Sequence, residues 1–72
     1  MERVYENIRT LRVIKGYSQE YLAYYLDIHQ SYYSRIERGL KDIPLTIFLK
    51  ISELYNVPLE TLLYTDLANK AN

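Results

Sequence analysis

Apolar residues recur along this chain at spacings of three and four, and nowhere in the strict alternation of a half-buried strand. Val4, Ile8, Leu11 and Ile14 form the apolar face of a first helix, predicted from about Glu2 to Lys15. Gly16 follows where a left-handed residue closes a helix. Ser18 stands at the N-cap of a second helix, with Glu20 in its first turn and Leu22, Ala23 and Leu26 inward. Asp27-Ile28-His29 leaves room only for a tight turn. A third helix is predicted from about Gln30 to Arg38, ended by Gly39. Pro44 opens a fourth, carrying Leu45, Phe48, Leu49, Ile51 and Leu54, and Asn56 can take the left-handed conformation that stops it. Pro58 starts a fifth with Leu59, Leu62 and Leu63. The expected domain is 1–67, with a frayed tail at 68–72.

Five short helices with brief connections can bury their faces only against one another, so the expected architecture is a compact all-α cluster. At 72 residues it is one domain with a thin stability margin. Cysteine is absent and histidine occurs once, so neither a disulfide nor a metal site is expected to staple it. No apolar run has the length of a membrane span, and Met1 to Glu6 lacks the apolar stretch of a signal peptide; a cytoplasmic location is the expectation. The net charge is zero, but residues 1–41 hold seven basic side chains against five acidic ones, and residues 42–72 hold two against four. The first part suits an anion, the second solvent or a partner.

Two short helices joined by a three-residue turn must cross steeply, and Ala23 supplies the small residue that lets their backbones approach. Leu22, Leu26, Ile28, Tyr33 and Ile36 fill the wedge beneath them. The outward face of the third helix then carries Gln30, Ser31, Ser34 and Arg35, a polar, hydrogen-bonding set suited to the major groove of duplex DNA. No catalytic set is present: there is no Gly-rich phosphate loop and no Gly-x-Ser-x-Gly. No cofactor or small-molecule ligand is indicated.

The chain resembles the phage repressor and Cro type of helix-turn-helix regulators. The segments that carry the likeness are Ser18-Gln19-Glu20-Tyr21-Leu22-Ala23, Ser34-Arg35-Ile36-Glu37-Arg38-Gly39, and Lys50-Ile51-Ser52 leading to Asn56-Val57-Pro58-Leu59, within a span from about Ile8 to Leu63. It departs from the family at Asp27, usually Gly, at His29, usually Ser or Thr, and at Tyr33, usually Ile or Val. The resemblance implies a five-helix, lambda-repressor-like domain that binds double-stranded DNA as a small regulator, expected to be a repressor. Gln30, Ser31 and Arg35 would match base-reading positions. Ser18 and Gln19 at the start of the second helix, with Tyr32, Arg38 and Lys41, would touch the DNA backbone. Arg12 and Glu37 would bridge the first helix to the end of the third.

A lone reading helix covers few bases, so a homodimer is expected. Its surface is placed at Tyr55, Leu59, Leu62, Leu63, Tyr64 and Leu67, where apolar residues exceed what a small fold needs. Tyr21, Tyr24 and Tyr25 crowd the second helix, and their rings are expected to lie over the core edge with hydroxyls in water. Their alternative role, a phosphate or partner surface, keeps open a protein-interaction module on the same fold, as well as an antitoxin-like regulator.

Overall fold

The computed structural model describes residues 2–70, and over that span six helices form and no strand. They are α1 (Glu2–Ile14), α2 (Gln19–Leu26), α3 (Gln30–Glu37), α4 (Leu45–Tyr55), α5 (Leu59–Tyr64) and α6 (Leu67–Lys70). The first four end alike. A residue at positive φ (Gly16, Asp27, Gly39 or Asn56) turns the chain, and its N–H and the next one bond back to carbonyls of the last turn. At α2 the pair is Asp27 N to Tyr24 O, 3.2 Å, and Ile28 N to Ala23 O, 3.0 Å. Asp27 thus does the work of the usual glycine at φ 58°, in a region that aspartate enters more readily than most side chains. Each such stop satisfies carbonyls that the helix leaves bare, which is why such short helices can follow one another so closely.

The central strut is α1, which packs on α3, α4, α5 and α6, while α2 packs on α3 and α4. Val4, Ile8 and Leu11 face the core from α1. Ile14, expected beside them, is exposed: the helix ends there, and Gly16 leads the chain away. On α4 the core side is Ile47, Phe48, Ile51 and Tyr55. Leu45 and Leu49, expected on that face, lie round the helix from it and are exposed.

Two buried polar groups bind distant segments to α1. Asn7 is 0% exposed, and its amide nitrogen donates to Leu62 O at 2.8 Å and Thr65 O at 2.7 Å. Its carbonyl accepts the N–H of Leu67 at 3.3 Å. These bonds seat the chain from Leu62 to Leu67, just before the tail 68–72. The chain then turns through α6, with Asp66 carboxylate oxygens accepting from Asn69 N and Nδ2. Ala71 and Asn72 lie outside the described residues. The second group is Tyr55, 0% exposed, whose hydroxyl donates to Ile8 O at 3.0 Å. Tyr55 and Leu62, the latter also 0% exposed, are therefore core residues and not part of a dimer surface. Of the residues placed at that surface, Leu59, Leu63 and Leu67 are half-buried and Tyr64 is 75% exposed.

Candidate nucleic-acid interface

The N-terminus of α2 begins with Ser18, whose Oγ accepts the N–H of Tyr21 at 2.9 Å. Ala23, buried against α3, allows the close crossing, and its carbonyl takes the N–H of Ile28 in the turn. His29 precedes α3 in an extended conformation with no side-chain cap bond. On α3, Tyr33, Ile36 and Glu37 are buried. Gln30, Ser31 and Arg35 are exposed, as are Arg38 and Lys41 beyond the helix; Tyr32 and Ser34 are half-buried. The helix therefore presents one short polar face to solvent and locks the other.

The lock is the carboxylate of Glu37, which sits at the end of α3 and is almost fully buried. Arg12 meets it with a two-pronged contact, Nε to Oε2 at 2.8 Å and Nη2 to Oε1 at 2.9 Å. Tyr33 donates its hydroxyl to Oε2 at 2.5 Å, and Gln19 donates Nε2 to Oε1 at 3.1 Å. The third arm of Arg12, Nη1, reaches Tyr17 O at 3.0 Å. One carboxylate thus joins α1, the start of α2 and α3. Among the described residues, no buried side-chain nitrogen or oxygen lacks a partner.

This arrangement sets the electrostatics. Burial alone would raise the Glu37 pKa, but the hydrogen bonds from Arg12, Tyr33 and Gln19 outweigh it and hold the carboxyl below its ordinary value. The bond to Glu37 in turn raises Arg12 against the opposing effect of burial. Burial pushes Tyr33 and Tyr55 well above the ordinary phenol value, so both stay protonated and can donate. Because the folded Glu37 pKa is lowered, its contribution is full above the unfolded carboxylate value of 4.5 and is lost as pH falls through the folded value. Acid titration followed by circular dichroism is expected to show stability falling below about pH 4.5. In Glu37→Gln that component is absent; an unchanged acid profile in this variant would remove Glu37 as its source.

Gln19 has a structural partner as well. Its amide was expected on a phosphate, but one N–H is committed to Glu37 and the side chain is half-buried. Tyr33, where the family usually has an aliphatic residue, supplies the extra hydroxyl of the lock. The tyrosines of α2 divide. Tyr55, Tyr17, Tyr21 and Tyr25 stack in sequence, with ring centroids 6.3, 5.1 and 6.5 Å apart. Tyr24 stands outside the stack, 82% exposed.

The sequence pattern of the helix-turn-helix family matches residues 8–62, a span running from α1 through α5. The chain belongs to this family. The helix-turn-helix protein is 38% identical over 66 residues to the control protein C.BamHI of Bacillus amyloliquefaciens, a match covering 89% of this chain and 82% of the relative. Its fold superposes with a TM-score of 0.77 on the crystal structure of a hypothetical transcription factor, NHTF, from Neisseria. That match has 32% identity and covers 99% of this chain and 84% of the other. The protein is accordingly a DNA-binding transcriptional regulator of the phage repressor and Cro type, and not an enzyme. No helix among the described residues is long and apolar enough to cross a membrane.

Proposed function

We propose that this regulator is a cytoplasmic repressor that binds a specific operator as a homodimer, with α3 of each copy in the major groove. The observation that carries the reading is the division of α3 described above. Gln30, Ser31 and Arg35 are exposed together while Tyr33, Ile36 and Glu37 hold the helix in a fixed pose. Such a face reads base edges: Gln pairs bidentately with adenine, and Arg with guanine O6 and N7. Half-buried Ser34 lies at the margin of this face. Ser18, Gln19, Tyr32, Arg38 and Lys41 are assigned to the sugar-phosphate backbone, Gln19 through the part of its amide that Glu37 leaves free. The control protein that this chain resembles supports a role in regulating transcription.

For the dimer, the surface left after Tyr55 and Leu62 are removed is Tyr64 with Leu59, Leu63 and Leu67 around it. Two copies meeting there would set half-sites about 34 Å apart. Selection from random duplexes is expected to return a near-palindrome with that spacing. Sedimentation is expected to show a dimer on DNA that Tyr64→Ala weakens. A motif without two-fold symmetry, bound by a monomer at saturation, would sink the dimeric reading.

A further inference from the structure

A cleft of about 300 Å³ opens between α1 and the end of α3, lined by Tyr5, Glu6, Arg9, Glu37, Arg38 and Gly39. The Tyr5 ring lies close to Gly39 at this cleft. A Cβ on Gly39 would lie 3.2 Å from that ring, and Gly39 has a φ of 76°. Arginines from two different elements line this space, and Arg38 Nε donates back to Ser34 O at 3.4 Å. Arg9 comes from the middle of α1, and Arg38 from the residue after α3. Both are exposed, and among the described side chains neither has a carboxylate within ion-pair distance; the pairs found are Arg12 with Glu37 and Arg3 with Asp66. Glu37 brings little free negative charge, because its oxygens are taken by Arg12, Gln19 and Tyr33. Among the described residues that line the cleft, Glu6 is the one other acid, against two arginines.

Two cations that line one cleft repel each other, and a phosphodiester between them would remove that repulsion while accepting from both. We propose that this cleft seats a phosphate of the DNA backbone, held by Arg9 of α1 and Arg38 together. The proposal rests on the docking of α3 in the major groove, which brings the flanking phosphate rail past the end of the helix. It adds α1 to the DNA-contacting surface and gives Arg9 a role that its sequence position, on a helix read as structural, does not suggest.

The test uses the intact protein, a selected operator and a scrambled duplex, titrated between 50 and 200 mM salt. Arg9→Gln is expected to weaken both duplexes by a similar factor and lower the salt slope by about one unit, so that the deficit shrinks about threefold across that range. Arg9→Lys should restore the slope, and the thermal midpoint should stay unchanged, since Arg9 is exposed. Lys50→Gln, which removes an exposed charge on α4, should leave the slope alone. Wild-type binding and slope in Arg9→Gln, or an equal loss of slope in Lys50→Gln, would overturn the phosphate seat. Loss of operator preference in Arg35→Ala in the same experiment would show that the major-groove reading survives it. Failure of the wild-type protein to bind any duplex would overturn both.

Discussion

Glu37→Ala is expected to destabilise the domain by about 3–5 kcal/mol, the cost of removing one partner from a buried ion pair. The size follows from what the substitution strands. Arg12 loses two charge-assisted bonds, and Gln19 Nε2 and the Tyr33 hydroxyl lose their acceptor in a site with little water. For a domain this small, each kcal/mol is worth about 4–8 °C in Tm, so the variant should melt more than about 10 °C lower. Arg12→Ala should be similar, since it leaves a carboxylate uncompensated at the core edge. Replacing both by apolar residues of matched volume should cost less than either alone, and adding Tyr33→Phe should recover more, because it removes the last stranded hydroxyl. Thermal or urea melts of the four corners of the Arg12–Glu37 cycle measure the coupling. Additive losses would show that the contact is not a stabilising unit.

The same cluster shows what the sequence carries and what it conceals. Helix ends were legible because they depend on local chemistry. Gly16 and Asn56 take positive φ as expected, Gly39 ends α3, Ser18 caps α2, and Pro44 and Pro58 each stand immediately before the helix they open. The polar outward positions of α3 were legible for the same reason: periodicity alone separates Gln30, Ser31 and Arg35 from Ile36. The Arg12–Glu37 bridge came from family resemblance, since no local pattern joins residues 25 apart in sequence.

Asn7 gave no signal, because a polar residue on an amphipathic helix reads as solvent-facing unless its distant acceptors, Leu62 O and Thr65 O, are known. Tyr55 misled in the opposite direction: an apolar ring near the C-terminal leucines suggested a surface, whereas its hydroxyl has a buried carbonyl to reach on α1. Leu45 and Leu49 fit a helical spacing equally well, and only the positions of α1, α2 and α5 decide which stripe of α4 is covered. Local rules set where helices stop; which face turns inward depends on neighbours far along the chain.

The second large effect lies in recognition. Arg35 projects from the exposed face of α3 with Gln30 and Ser31, where its planar fork can span guanine O6 and N7. Arg35→Ala should lose about 1–3 kcal/mol on the selected operator, roughly 5- to 150-fold in affinity, and relax the preference at one base pair. Lys41 is exposed beyond Gly39 and off the helix, and the proposed docking assigns it to the phosphate rail alone. Lys41→Ala should weaken all duplexes alike and lower the salt slope by about one unit.

The decisive measurement is titration of wild type, Arg35→Ala and Lys41→Ala on operator and scrambled duplex at several salt concentrations. The α3 docking model predicts that Arg35→Ala erases part of the gap between the two duplexes while Lys41→Ala leaves the gap intact. Equal weakening of both duplexes by Arg35→Ala would make it a backbone contact and contradict the assigned reading face. No change from either variant would contradict docking of α3 in the groove.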